Sequence, residues 1–412
     1  LQRQSDGLKS VVSSDAFGTL AGNPAELVSR LPGVEGVACD GDTRYIRMRG
    51  LSQELNTITM DSNRLADAGS AVTSRSYQFQ QISSDSIERL EVVKSPTPDM
   101  DGDSIGGNVN LVSKSAFDSS PERRIRGSFG VIWRPFDPRE TRAPRNYSLS
   151  YSEVFGGKIG VTVNAAYRVH NTPQDTIVQA HQQLANGVAG PAYTYSAQLV
   201  DFRNERARTG AGIKLDYKLS DNVRFYLNTT SNKIVEHEND RYTTFATGEA
   251  IATRDASGNF TGTGGIIPGY TDRFTAVRPV TSSTVNIQSR NQYKDGKTVT
   301  LQIGGVHRYK NLDLDYDAYK SDSKTNYAGQ RLLDYTARGI GFTIDTRDRW
   351  EYPIVTQTDG PDITKLESFT ENNYSIARNV GWDGYRGGAL NLKKQFETAV
   401  PTYIKTGLRW RE

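Results

Sequence analysis

Three short strings in the chain carry residue types used for acyl transfer. Ser321-Asp322-Ser323-Lys324, Ser220-Asp221-Asn222 and Lys405-Thr406-Gly407 match the three strings of serine β-lactamases and penicillin-binding proteins. Those enzymes place Ser-x-x-Lys first, at a helix start, so that an amine or a neighbour activates a buried hydroxyl. Here it comes second, at the polar end of a strand pattern, and Ser220 to Asn222 reads as a tight turn. Strings of three letters recur by chance in a chain rich in Ser, Lys and Gly, so no catalytic residue is assigned and no enzyme is expected. Asp99-x-Asp101-x-Asp103 has the spacing of a calcium loop. Positions 6 and 12 of that loop would be Ser104 and Asn110, not Gly and Glu, and no helix precedes it. A solvated acidic turn is the simpler reading. His170, His181, His237 and His307 show no His-x-x-x-His spacing, and Cys39 has no activating base beside it. Neither a metal nor a cofactor is expected.

Aromatic residues are the remaining candidates for recognition. Tyr193, Tyr195, Tyr270, Trp350, Tyr352 and Trp382 lie in long polar stretches, where rings stack well on sugars. The same residue types also form the girdles that sit at lipid headgroups. Ligand contact is expected at Tyr193, Tyr195, Trp350 and Trp382, with Arg75 and Tyr77 upstream, while the girdle remains open for the rings.

The composition limits what can position these residues. With 412 residues, 24% charged, a mean hydropathy of −0.59 and no apolar run of 18, a transmembrane helix is excluded. A single cysteine excludes an intrachain disulfide. No charged segment followed by an apolar one opens the chain at Leu1, so no signal peptide is visible. Residues 1–120 hold 11 Lys/Arg against 16 Asp/Glu, and residues 121–412 hold 39 against 31. Because the basic residues are interleaved with acids and form no stripe, nucleic acid is not an expected partner.

Residues 1–120 read as a small mixed unit. Asn23-Pro24-Ala25-Glu26 is a helix start, ended by Pro32-Gly33. Short strands are expected over 44–49, 56–60, 90–94 and 108–112, and Asp85 to Glu88 has a second capping-box spacing. After residue 121 the period becomes two. Ile159, Val161, Val163, Ala165 and Tyr167 alternate with Gly160, Thr162, Asn164, Ala166 and Arg168. Runs of about ten residues, apolar on one face and polar on the other, suit a wall between lipid and water, whereas sandwich strands are shorter. Nine strands are expected near 124–134, 145–155, 158–170, 206–219, 222–235, 282–309, 312–326, 378–392 and 400–412, with long loops at 171–205, 236–281 and 327–377. Lys294 to Lys297 looks like a hairpin turn. Reading it so would put the loop at 327–377 on the short-turn side, so the turn is placed at Lys310-Asn311. An odd number of strands leaves an open edge, which cannot lie in lipid. The chain is therefore expected either to be the first part of a longer one, which is the favoured reading, or to be completed by other chains.

The string from Ser95 to Lys114, preceded by Ile87 to Lys94, by Ile46 to Leu51 and by Leu31-Pro32-Gly33-Val34, resembles the plug of TonB-dependent outer-membrane receptors. The resemblance implies an α+β plug inside a transmembrane antiparallel β-barrel of the 22-stranded type, with about nine strands present here. It also implies a plug over 1–120 and the first part of the barrel over 121–412, located in the outer membrane. On that reading Arg49, Gly50, Glu88, Arg89, Glu91, Gly106, Gly107, Asn108 and Asn110 are the plug's structural motif. The partners it implies are a TonB-type energy-coupling protein, outer-membrane lipid and a small nutrient ligand. The coupling box itself is not recognisable before Leu20, and Asp61-Ser62 stands where the family has Asp-Gly. The wording around Ser95 to Asp103 looks most like the branch linked to oligosaccharide uptake. The alternatives are an iron-chelate receptor of the same family, an adhesin or structural β-protein, and the β-lactamase-like enzyme.

Overall fold

The computed structural model describes residues 9–13, 23–39, 41–69, 74–97, 100–118, 121–132, 145–182, 191–398, 400 and 402–412. Asp99 and the end of the expected first wall strand at 133–134 lie outside these residues.

The N-terminal part contains β1 (Lys9–Ser13), helix α1 (Pro24–Val28), β2 (Val34–Cys39), β3 (Asp42–Met48), β4 (Asn56–Met60), β5 (Asn63–Arg64), β6 (Ile87–Val93) and β7 (Gly107–Ser113). Asn23 caps α1 by accepting from the Ala25 amide at 3.0 Å, and Pro24 at the first helical position needs no donor there. The expected capping box at Asp85 to Glu88 is instead a 3-10 turn over Ser84–Ser86, capped by Ser83, and β6 follows at once. The sheet order is β1-β6-β7-β4-β5, with β4 and β7 parallel, while β2 and β3 form a separate hairpin. Leu27, Val28, Met48, Ile58, Phe79, Ile82, Leu90, Val92, Val109 and Leu111 fill a single apolar core beneath this sheet. Asp61 and Ser62, with φ of 47° and 71°, keep the β4–β5 turn without glycine. The strain is offset because Asn110 Oδ1 takes the Ser62 amide at 2.8 Å and Asp61 takes Ser113 Oγ at 2.6 Å.

The wall follows: β8 (Arg124–Val131), β9 (Arg145–Phe155), β10 (Ile159–Asn171), β11 (Gln174–Gln182), β12 (Tyr193–Ser220), β13 (Val223–Ala246), β14 (Thr253–Arg254), β15 (Phe260–Thr261), β16 (Phe274–Val277), β17 (Thr284–Tyr309), β18 (Leu312–Arg338), β19 (Gly341–Asp345), β20 (Ile354–Asp359), β21 (Glu371–Phe396) and β22 (Thr402–Arg411). Nine of these form one antiparallel path from β8 to β22, and β11 pairs with the upper part of β12. The fold is therefore a small α+β unit with a strand-built wall, and the wall is the part that the alternation predicted. Lys294 to Lys297 is continuous strand, paired to β13 on one side and β18 on the other, and the turn falls at Lys310-Asn311. The long loops are shorter than expected. The strands run on to Tyr193, Ala246, Arg338 and Glu371, well beyond the last lipid-type alternation. Their extensions are held by a second apolar cluster. Ala197, Phe245, Val285 and Ala337 share one rung and meet Phe342 and Ile344 of the small sheet β16-β19-β20. Among the described residues no helix is long and apolar enough to cross a membrane.

Candidate functional site

Alternation along β10 decides which way the wall faces. Ile159, Val163 and Tyr167 are exposed, whereas Thr162 and Asn164 are buried and Arg168 reaches the N-terminal unit. Side chains of β10, β12, β13, β17, β18, β21 and β22 all touch that unit, so the sheet curves around it with its polar face inward. The row Asp313, Asp315, Asp317 also points inward. Asp317 meets Asn63, and Arg308 bonds Asp315 at 2.8 Å.

Wall arginines grip aspartates of the N-terminal unit. Arg168 holds Asp85 through two bonds of 2.9 and 2.7 Å. Arg208 pairs with Asp42 and donates to the Gln80 carbonyl at 2.6 Å. Arg206, fully buried, donates to Glu236 at 2.6 Å and lies 3.8 Å from Asp42. Glu236 also accepts from Asn204 at 2.6 Å and sits 3.8 Å from the Lys294 amine, which donates to Gln78 at 3.3 Å. Arg409 and Arg411 both face Asp101, and Asp103 is taken by Arg64 and Arg75. This pairing is the physical form of the charge contrast between the two halves. It also explains why Asp101 and Asp103 are no calcium loop: their charges are already met by guanidinium groups. Burial alone would push the Asp42 and Asp85 carboxyls up. Arg208 with Asn23, and Arg168 with Ser83, outweigh it and hold both carboxyls below the ordinary aspartate value.

Between these ion pairs, residues 66–69 lie as a strap against β18 and β21. The Ala66 and Ala68 amides donate to Ser321 and Ser323 at 3.1 Å each, and the Asp67 amide donates to Asp383 at 2.7 Å. The Asp67 carboxylate turns the other way, accepting from the amides of Gly69 and Gln78 and from Gln81 Nε2 at 2.5–2.6 Å. Burial pushes this carboxyl up to about 6. The β-lactamase geometry is absent from this place. Ser321 faces the strap, and Lys324 is on the opposite face of the same strand with its amine over Trp382.

The motif residues of the N-terminal unit are structural in placement. Gly106 and Gly107 pass where a Cβ would come within 2.2 Å of Asn56 and 2.7 Å of the Val93 carbonyl. Arg49, itself at φ 56° beside Gly50 at φ 73°, reaches over to the carbonyls of Ile105 and Gly106 at 3.0 and 3.3 Å. Glu91 joins Lys9 and Arg89 at 2.8 and 2.9 Å, Asn108 donates to Thr57 Oγ1 at 2.9 Å, and Asn110 accepts from Thr59 at 3.0 Å. Glu88 occupies the bulge between β6 and β7, and among the described residues it makes no ion pair.

The proposed ligand residues do not gather into one patch. Tyr193 is buried, edge-on to Tyr270 and bonded to the Glu249 carbonyl, so its ring supports the loop core and is not free to stack on a ligand. Tyr195 packs against the same core. Trp382 faces outward at 70% exposure, on the side of the wall away from the N-terminal unit. Tyr77 rests on Phe79, and Arg75 is paired to Asp103. Trp350 remains on the loop surface, stacked on His181 with Arg273 over its ring at 5.0 Å. The inward face above Arg206 offers a different set, which no motif announced: Gln198, Asp240, Tyr242, Thr244, Asn286, Gln288, Arg290 and Asp334. Gln198 donates to Thr244 at 2.9 Å, Arg290 to Asp240 at 2.6 Å, and Asn286 and Gln288 both to Asp334 at 2.5 and 2.9 Å. The only signal for them in the sequence is that polar side chains continue at every second position beyond the apolar run.

Residues 2–108 match the family model of the TonB-dependent Receptor Plug Domain. No curated protein matches the chain. Among solved structures it is similar to a mutant of the ferric enterobactin receptor of Pseudomonas aeruginosa, at 12% identity and a TM-score of 0.44, over 96% of this chain and 62% of that one. It is also similar to the siderophore receptor PirA of Acinetobacter baumannii, at 11% identity and a TM-score of 0.36, over 98% and 75% of the two chains. The ferric preacinetobactin receptor of Acinetobacter baumannii aligns at 12% identity and 0.36, over 98% and 61%. The chain thus spans less than two thirds of the first of these receptors. The N-terminal unit thus matches the plug domain of TonB-dependent receptors over nearly its whole length, and a wall of antiparallel strands surrounds it.

Proposed function

We propose that the chain is the plug, over residues 1–120, and the adjoining wall, over 121–412, of a TonB-dependent receptor that takes up a scarce small nutrient. The observation that carries this reading is the matched plug segment bound to the polar face of a sheet whose other face is apolar. Ligand would settle on the inward polar surface above the plug, and a TonB-type protein drawing on the plug's N-terminal segment would break the seam to open a path. The structurally similar receptors are named for ferric chelates, so an iron chelate is the first ligand to test. An oligosaccharide is the second, supported by the amides, carboxylates and tyrosine of the inward face, which suit hydroxyl groups.

The test uses the full-length receptor in a Gram-negative host lacking its own receptors, grown with either an iron chelate or an oligosaccharide as the limiting nutrient. Growth on one class that stops when the proton motive force is collapsed supports the reading and selects the ligand. A cysteine pair at Ala66 and Ser321, in a Cys39→Ser background, should block uptake until reduced. Uptake unaffected by that crosslink would sink the plug mechanism.

A further inference from the structure

One rung of the wall sets three lysines side by side on its outward face. Lys233 is opposite Lys297 across β13 and β17, and Lys297 is opposite Lys324 across β17 and β18. Trp382 continues the rung on β21, its ring 5.5 Å from the Lys324 amine. Their strand neighbours Asn232, Thr298 and Ser323 are buried against the inner side, which fixes the lysines as outward. Directly opposite side chains are about 5 Å apart at Cβ, and like charges in that position repel. Asp295, 3.4 Å from Lys233, offsets part of this charge, and among the described residues Lys297 has no ion pair. Toward the short turns β17 carries Val299, Leu301 and Ile303 outward, exposed and apolar, while the first two of these rungs hold on β18 and β21 charges that are already paired, Lys320 with Asp322 at 2.7 Å and Arg386 with Glu412 at 2.9 Å. The ladder therefore lies at the long-loop end of the apolar column on β17. It is a repulsive arrangement that an anion at that height would relieve.

We propose that Lys233, Lys297 and Lys324 dock the phosphate-bearing headgroup of a lipid in the leaflet on the long-loop side. Its acyl chains lie along Val299, Leu301 and Ile303, and Trp382 sits level with the headgroup. A free phosphate would meet the amines but gain nothing from that apolar column, which identifies the lipid as the source. The inference rests on the wall being embedded in a membrane and not on which nutrient is carried.

The test is native mass spectrometry of the full-length receptor in phosphatidylcholine nanodiscs, with and without phosphatidic acid. Wild type should retain phosphatidic acid, and the triple change to Gln should weaken retention about tenfold or more. The triple change to Arg should restore it, and the Gln variant should melt no lower than wild type because a repulsion has been removed. Equal retention by the Gln variant would overturn the proposal. Displacement of the lipid by an equal concentration of inorganic phosphate would overturn it as well. Nutrient-limited growth is measured separately, so a receptor that fails there can still pass here.

Discussion

In the plug, Leu90, Val92, Val109 and Leu111 are fully buried between a sheet and a helix, and charge lies at the rim. In the wall, Leu149, Ile213 and Ile303 stand 45–59% exposed on one face, while Arg206 and Lys294 are almost fully buried on the other. The same preference for apolar surroundings operates in both regions. What differs is the phase that supplies them, protein interior for the plug and lipid for the wall. The inner face of the wall must then satisfy its charges against the plug, and it does so by placing arginines opposite aspartates.

The comparison breaks first at the seam. Arg206→Leu leaves Glu236 and Asp42 buried with one partner fewer, and should cost about 4 kcal/mol in denaturant unfolding. Adding Glu236→Leu should recover much of it, because the stranded charge is gone. A cost below about 1 kcal/mol for the single change would mean the seam is hydrated and the two regions are less distinct than described.

Next comes the plug's own core. Leu90→Ala should cost about 3 kcal/mol through the lost methyl groups and the cavity left behind. Leu149→Ala on the outward face should cost far less in lipid, since acyl chains refill the space. Equal costs at Leu90 and Leu149 would argue against a membrane-facing surface.

A smaller effect sharpens the two faces of the wall. Val163→Arg puts a charge into the apolar band and should cost about 2 kcal/mol, while Ser128→Arg on the inward face should cost under about 1 kcal/mol. Asn164 is unsuitable as the inward control because the plug covers it, with 7% of its surface exposed. Heat-modified gel mobility in lipid, read against temperature, gives the comparison.

The smallest effect is a pH slope. The buried Asp67 carboxyl has its pKa raised from 3.8 to about 6, so between those values the folded protein holds a proton that the unfolded chain has released. Stability should therefore fall as pH rises from about 4 to about 6, and Asp67→Asn should flatten that slope. Asp42 and Asp85 act in the opposite sense and lower down, contributing stability above the ordinary aspartate value that is lost as pH falls below it. A slope unchanged by Asp67→Asn would place its origin elsewhere.

Much of this was legible in one dimension, because the information is local. Alternation from Ile159 to Tyr167 sets faces two residues at a time, and a turn must fall where both flanking strands keep their alternation, hence Lys310-Asn311 and not Lys294 to Lys297. The string around Gly106-Gly107 is legible because glycine itself marks a close approach, by the Asn56 side chain at Gly106 and by the Val93 carbonyl at Gly107. What the tertiary structure alone decided depends on pairing between distant strands. How far β12, β13, β17 and β18 climb is set by the shared rung of Ala197, Phe245, Val285 and Ala337 and by the loop sheet that covers it. The same is true of Arg206 meeting Glu236 and Asp42, of the strap of Ala66 to Gly69 on Ser321 and Ser323, and of the lysine ladder. Each joins residues whose separation along the chain says nothing about their height on the wall. Register fixes that height, and register is a property of all the strands together.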